Sequence, residues 1–394
     1  MKLVHLSDLH LGFRQYQRLA ANGINQREAD IASAFRRAID RVIEIQPDVI
    51  LIGGDVFHSV RPTNPAILHA FKQFSRLTEM LPDASIVMIA GNHDKPRTTE
   101  TGWLLRLFST LGITVVEEEA KNVTFRDGEL SVLAIPSLIR PRPAFEPSKT
   151  ARYNVLLMHD QVEGVINRFG APPPLPGVEL PREDLRPERW DYVALGHYHV
   201  YTQVAPNAYY SGSLEYASSN VWGEVDEEFR RKIPGKGFIE HNLDTGQHRF
   251  HSVTLARRVI DLPEVSAVGR TAEQLSADIC AAVDSCRGGI DDMIVRVVVR
   301  DVPRHILRDL DHRKIREFKR RALHFHLDAR RPQPVRIETG GAPGRRTSLA
   351  ETVRSMLEKR QLTPGIDRAA LVNLGMHYLD EADRLSPALA TDEG

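Results

Sequence analysis

Hydrophobic positions along the chain change period repeatedly, and each change marks an element. Lys2–Leu6, Val49–Ile52 and Ile86–Ala90 are short apolar runs with the pattern of buried strands. Between the first two, Ile31, Phe35, Ile39 and Val42 recur at helical spacing. They predict a helix over about Gln26–Ile45, with Asn25 and Glu28 as a capping box. Ile67, Leu68, Phe71, Phe74 and Leu77 form a second stripe, opened by Asn64-Pro65 as N-cap and first helical residue. Trp103–Leu111 reads as a third helix, stopped by Gly112. Alternation of strands and helices builds an α/β layered core.

After Glu119 the pattern turns to strands. Val123–Arg126 and Leu130–Ile135 flank Asp127-Gly128, a hairpin signal. Asn154–Met158 and Tyr192–Leu195 read as further buried strands, separated by the proline-rich loop Ala171–Pro176. Gly237–Leu243 and Gln247–Val253 pair around Asp244-Thr245-Gly246. A first domain of mixed strands therefore covers residues 1–255. A smaller α+β domain follows over 256–335: strand Val259–Leu262, helix Thr271–Cys286 with a Thr271/Gln274 capping box, strand Ile294–Val299, helix His312–Ala322 and strand Leu323–Leu327. Arg330–Arg346, with its Pro and Gly residues, reads as a linker. Two helical segments, about Ser348–Lys359 and Asp367–Ala382, complete a tail over 336–394.

Composition adds three points. The two cysteines, Cys280 and Cys286, face different sides of one predicted helix and form no C-x-x-C motif. That argues against a disulfide framework or a cysteine zinc site and for a reducing compartment. The N-terminal apolar run is broken by His5 and Asp8, and no run of about 18 apolar residues exists. A cytoplasmic protein without membrane partners is expected, nucleoid-associated in a prokaryote. The net charge is zero, but its distribution is uneven: Arg300–Arg346 holds 14 Lys/Arg against 6 Asp/Glu, and the chain from Thr347 onward holds 5 against 8. A basic face followed by a separate tail suits a nucleic-acid binder. On the helix His312–Ala322, Arg313, Arg316 and Arg320 share the side opposite Ile315 and Phe318. The competing reading is a solvated basic face.

The chemistry lies in five stretches. Gly53-Gly54-Asp55 follows a buried strand, and the glycines allow a sharp turn there. Asp8-Leu9-His10, Gly91-Asn92-His93-Asp94, His159 and Gly196-His197-Tyr198-His199 bring further oxygen and imidazole donors, most of them directly after buried strands. Each alone is weak, since a single histidine is more often a packing residue than a ligand. Together they supply donors for two metals, with Asp55 as the bridge. In extended chain, Asp8 and His10 share a face, as do His197 and His199. A cation pair about 3.5–4 Å apart neutralises a phosphodiester and lowers the pKa of a bridging water. Mixed carboxylate, amide and imidazole donors suit manganese, iron or zinc better than magnesium alone. His93, next to the ligand Asn92, is free to act on substrate, with Asp94 placed to fix its tautomer. His58 is placed to contact the phosphate or the departing nucleotide.

These motifs resemble the calcineurin-like metallophosphoesterase superfamily. Met1–Gly12, Gly53–Arg61, Gly91–Asp94 and Tyr210-Ser211-Gly212-Ser213-Leu214-Glu215 resemble its DNA-repair nuclease branch, the SbcD family, over roughly residues 1–255. The resemblance implies a four-layer sandwich of two mixed β-sheets flanked by helices, with 256–335 as a DNA-binding capping domain. It implies one metal held by Asp8, His10, Asp55 and His199, and another by Asp55, Asn92, His159 and His197, with manganese the usual ion. It implies an exonuclease and endonuclease acting on duplex ends, hairpins and single strands in double-strand-break repair. It also implies a homodimer, and a tail that binds an SbcC-type ABC ATPase; the plainer alternative is that the tail docks on its own capping domain. Two positions depart from the pattern: Asp160 follows His159 where a neutral residue is expected, and Ser211 stands where relatives often carry proline. The rival activity is a small-molecule phosphodiesterase or phosphatase of the same superfamily; a third reading is a scaffold that has lost catalysis. His58 and the basic extension after Leu255 favour the nuclease, and the complete ligand set opposes the scaffold.

Overall fold

The computed structural model describes residues 1–96, 102–137, 143–165, 179–332, 349–360 and 367–385. The predicted loop Ala171–Pro176 lies outside these residues, as does most of the predicted linker. In chain order the first elements are β1 (Lys2–Leu6), α1 (Gln26–Ile45), β2 (Val49–Ile52), α2 (Asn64–Met80), β3 (Ser85–Ile89) and β4 (Thr114–Val116). Then come β5 (Lys121–Phe125), β6 (Leu130–Ile135), β7 (Tyr153–His159), β8 (Tyr192–Gly196), β9 (Thr202–Ala205), β10 (Ala208–Tyr210), α3 (Val221–Arg231), β11 (Gly237–Asn242) and β12 (His248–Ser252). These strands make two six-stranded mixed sheets, ordered β12-β11-β1-β2-β3-β4 and β5-β6-β7-β8-β10-β9.

The layers follow from which faces are apolar. One face of the first sheet packs on α1 and α2 through Ile31, Phe35, Phe74 and Leu77. Its other face meets the second sheet: Leu3, Val49, Leu51 and Val87 lie against Val132, Val155, Leu157 and Tyr192. Strands buried on both faces read as continuous apolar runs, as β2 does. The outer face of the second sheet is covered by Phe145, Leu180, Leu185 and Trp190, partly on 3₁₀ turns at Arg182–Leu185 and Pro187–Arg189. Each fully buried Leu, Ile or Phe contributes roughly 1.5–3 kcal/mol.

The remaining elements are β13 (Val259–Asp261), β14 (Val265–Ser266), α4 (Ala272–Asp284), β15 (Ile294–Arg300), α5 (Arg304–Arg308), α6 (His312–Arg321) and β16 (His324–Ala329). β15 is flanked in parallel by β16 on one side and by β13 and then β14 on the other. Leu275 and Ile279 of α4 and Ile315 and Phe318 of α6 share a core with Val295 and Val297 of β15. The chain divides into two compact units, Met1–Pro332 and Gln333–Gly394. Within the first unit the third sheet is fastened to the two-sheet body. Trp222 and Val221 pack with Ile294 and Leu323, Tyr16 stacks on His324 at 4.1 Å, and Arg257 reaches the buried Asp30 at 3.0 Å. In the second unit α7 (Leu349–Lys359) and α8 (Arg368–Leu385) lie against each other. The Arg368 guanidinium donates to the Leu357 and Arg360 carbonyls at 3.2 and 2.9 Å.

Several local expectations are corrected. The Asn25 side chain caps α1 through the Arg27 amide, but Glu28 turns away to take the Thr63 hydroxyl, so no capping box closes. Thr63 rather than Asn64 caps α2. Leu68, assigned to the apolar stripe of α2, is 71% exposed because it points away from α1. The third helix forms over Leu104–Leu111 as a 3₁₀ helix and is stopped by Gly112, as expected. The hairpin at Asp127 is closed by a 3₁₀ turn, with Arg126, Asp127 and Gly128 all at positive φ. The capping box at Thr271 and Gln274 does form. Cys280 and Cys286 are both free. No described helix is long and apolar enough to cross a membrane.

Candidate metal centre

The donor residues leave the C-terminal edges of both sheets and meet at the seam between them. Asp8 and His10 follow β1, Asp55 follows β2 and Asn92 follows β3. His159 ends β7, while His197 and His199 follow β8. The backbones approach so closely here that only glycine fits. A Cβ on Gly196 would lie 1.9 Å from the Gly53 carbonyl oxygen, and one on Gly54 would lie 2.6 Å from His159 Nδ1.

Extended alternation does not orient Asp8 and His10. Their φ angles are +54° and +45°, and Asp55 and His197 sit at +51° and +107°. Four donors thus occupy backbone regions that L-residues avoid, at an order of 1–3 kcal/mol each. Hydrogen bonds hold them there. The Asp8 and His10 amides donate to the Gly54 and Asp55 carbonyls at 3.0 and 2.9 Å. The Asp8 carboxylate accepts the His197 amide at 3.1 Å and the Ser7 hydroxyl. Ser7 Oγ in turn lies 2.8 Å from Ser211 Oγ, so the serine found where proline was expected helps to place Asp8.

The ring hydrogens follow from the partners. His159 Nδ1 donates to the Gly53 carbonyl at 2.7 Å, which leaves Nε2 bare. That bare nitrogen faces Asn92 Oδ1 at 3.1 Å and Asp55 Oδ2 at 3.5 Å. His197 Nδ1 lies 3.0 Å from the same amide oxygen. His199 Nδ1 donates to Glu224 Oε1 at 3.3 Å, so its Nε2 is bare as well. It faces His10 Nε2 at 2.9 Å and Asp8 Oδ1 at 3.9 Å. Two groups of lone pairs therefore converge, around His159–Asn92–Asp55 and around His199–His10–Asp8. The residues fit metal ions of the kind that accept mixed nitrogen and oxygen donors. Asp8, His10 and His199, and Asp8, Asp55 and His159, are each close enough to share one ion.

The charge balance agrees. Burial, and then the Asp8 charge, push the Asp55 carboxyl up to about 7 in the metal-free chain. Burial, and then the neighbouring His199, His93, His58 and His159, hold His10 well below the usual imidazole range. Burial, then His159, lowers His197 to about 4. Burial thus disfavours carboxylate charge at Asp55 and imidazolium charge at His10 and His197, and a bound cation would stabilise the first. His199 is the exception: burial lowers it, but the Glu224 hydrogen bond and charge outweigh that and raise it.

His58 and His93 stand at the rim. Their rings stack at 5.1 Å, and Phe13 closes on His58 edge-on at 4.8 Å. Burial, then His93, lowers His58 to about 4. His93 Nδ1 donates to the His58 carbonyl at 2.7 Å, which leaves Nε2 for other work. Asp94 was expected to hold that tautomer, and it does not. Its buried carboxylate accepts the amides of Val56, Phe57 and Gly91 at 3.1, 3.0 and 3.0 Å, tying the loop after β3 to the loop that carries Asp55. It shapes the site and does not touch His93. Arg313, Arg316 and Arg320 are exposed on α6, opposite Ile315 and Phe318. Ser7, Glu224 and Lys236 were not foreseen.

The model of the calcineurin-like phosphoesterase family matches residues 1–201. The chain is 30% identical over 253 residues to the DNA double-strand break repair protein Mre11 of Methanococcus maripaludis, covering 62% of this chain and 63% of that protein. It is 30% identical over 251 residues to the protein of the same name from Methanocaldococcus jannaschii, covering 60% and 61%. A similarity of 26% over 327 residues to that of Methanopyrus kandleri reaches 76% of this chain and 65% of that protein. The chain thus spans under two thirds of the length of these relatives.

Proposed function

Because this chain belongs to the calcineurin-like phosphoesterase family, we propose that it is a manganese-dependent DNA nuclease that processes broken ends. Two ions are assigned, one to Asp8, His10, Asp55 and His199, the other to Asp55, Asn92, His159 and His197. Bound there, such a pair supplies charge neutralisation for a phosphodiester and an acidified water. The chain's own part is to hold the donors rigid and to treat the leaving group. His93 offers Nε2, oriented by the Nδ1 bond to the His58 carbonyl, to stabilise the developing charge or deliver a proton to the departing oxygen. His58, stacked on His93, is assigned to the phosphate or the departing nucleotide. The observation that carries the reading is the convergence of bare imidazole nitrogens and carboxylates from two sheets on one seam.

Similarity to DNA double-strand break repair proteins supports DNA as the substrate. The exposed Arg313, Arg316 and Arg320 support a duplex-binding face on the third-sheet module. For the α7–α8 pair, Met356, Leu374 and Tyr378 are 70%, 51% and 60% exposed, which supports its assignment as the ATPase-binding tail. Homodimer formation and a cytoplasmic location belong to the same proposal.

The test is cleavage of labelled blunt duplex and hairpin DNA with and without manganese across a salt series, beside a small aryl phosphodiester. Metal-dependent DNA cutting that weakens steeply with salt is expected. Turnover of the small ester alone, indifferent to salt, would move the assignment to a small-molecule phosphodiesterase.

A further inference from the structure

Helix α3 has the sequence of a solvent-facing helix, yet Glu224, Glu227 and Glu228 on it are buried. Three buried carboxylates within two turns require partners. Lys236, only 2% exposed, provides a cation: Nζ pairs with Glu224, lies 3.0 Å from Glu228 Oε1 and donates to the His199 carbonyl at 2.9 Å. Its ammonium also sits 4.5 Å from the centre of the Tyr216 ring, and the Tyr216 hydroxyl donates to Glu228 at 2.6 Å. Glu227 takes the Tyr198 hydroxyl and Arg231 Nη1. This network touches the donor set at Glu224, whose Oε1 accepts from His199 Nδ1.

We propose that Glu224, clamped by Lys236, is a positioning residue that fixes His199 in the tautomer presenting a bare Nε2 to Asp8 and His10. The inference rests on the metal-centre assignment given above. The geometry makes it specific. Lys236 holds Glu224 Oε2, so Oε1 is the oxygen left to face the imidazole. A carboxylate acceptor both locks the ring and raises the basicity of the far nitrogen. His159 receives its second bond from a neutral carbonyl, that of Gly53. The two ions are therefore supported unequally, and loss of Glu224 weakens one of them.

Manganese(II) titration of the full chain, followed by the electron paramagnetic resonance of the free ion, tests this. In Glu224→Gln, one of two ions binds about tenfold or more weakly and the other is unchanged. Glu224→Gln leaves the buried Lys236 paired with Glu228, and Glu224→Met, which removes the acceptor without adding a donor, shows the same one-site loss, even if the first variant folds poorly. Adding Glu224→Gln to His199→Ala has no further effect on manganese affinity, since the two act at one ligand. Equal weakening of both ions, full affinity at both, or additive losses in the double variant overturns the inference. A wild-type chain that binds no manganese overturns the metal-centre assignment itself, a distinct outcome.

Discussion

Gly91→Ala isolates the placement of Asp55. A Cβ at Gly91 would lie 2.0 Å from Asp55 Oδ1 and 2.3 Å from the Asp55 backbone nitrogen, against an ordinary contact of 3.4 Å or more. The carboxylate oxygen must therefore retreat by about 1.4 Å, and the nitrogen belongs to main chain already in a strained conformation. Gly54 leaves no slack on the other side, since a Cβ there would lie 2.8 Å from the Gly91 nitrogen. Overpacking of this kind destabilises by roughly 1–3 kcal/mol. At about 2–4 °C per kcal/mol the melting temperature falls by some 2–12 °C, and the protein remains folded at room temperature. The metal centre is affected far more, because coordination distances tolerate only about 0.2 Å. Calorimetric titration should show fewer than two manganese ions per chain, and cleavage should vanish. Gly112→Ala is the control. It stands at φ +81° with nothing within 4 Å of its Cβ. That substitution strains the backbone by about 1–2 kcal/mol and leaves metal binding untouched. A Gly91→Ala protein that binds two ions at wild-type affinity would refute the reasoning.

Asp55→Asn removes the bridging charge; manganese content and cleavage should both be lost, as metal analysis and a nuclease assay would reveal. His93→Ala should keep both ions and slow turnover by about a hundredfold or more, whereas loss of metal would make His93 a ligand. Replacing Arg313, Arg316 and Arg320 together by glutamate should weaken duplex binding and lower the salt slope by about 2–3, read by fluorescence anisotropy at several ionic strengths. An unchanged slope returns α6 to an ordinary solvated surface. A chain ending at Gly344 should cut short single strands as before but fail to co-purify with the ATPase; retention of the partner at full affinity would exclude the tail as the tether.

What the sequence disclosed, and what it hid, follows from where each residue finds its partners. That Asp8, His10, Asp55, Asn92, His159, His197 and His199 gather in one place was legible because they stand beside short apolar strands, and strand ends are where sheets place ligands. The backbone beneath them was not legible. Alternation presupposes extended chain, while Asp8 and His10 are left-handed, held by amide bonds to the loop after β2. Asp94 was misread because its partners are main-chain amides of another segment, which leave no mark in side-chain identity. Helix α3 escaped for a different reason. Its buried face includes Glu224, Glu227 and Glu228 beside Val221 and Trp222, so polarity no longer tracks burial, and the compensating Lys236 lies beyond the helix. Short strands such as β10 and β14 hold too few residues to display a period.

The division of the donors between two sheets has a consequence for the order of events in the molecule's own assembly. Asp8, His10, Asp55 and Asn92 belong to the first sheet, and His159, His197 and His199 to the second. Neither half owns a full set, and the first sheet is itself completed only by β11 and β12, which follow the last donor in the chain. A cation held there acts as a clasp across the seam at Gly53 and Gly196. At a hundred times its dissociation constant it adds about 2.7 kcal/mol to the closed arrangement and nothing to either sheet alone. Chelation should therefore loosen the junction before it loosens either sheet, and the amides along that junction should be the first to exchange with solvent.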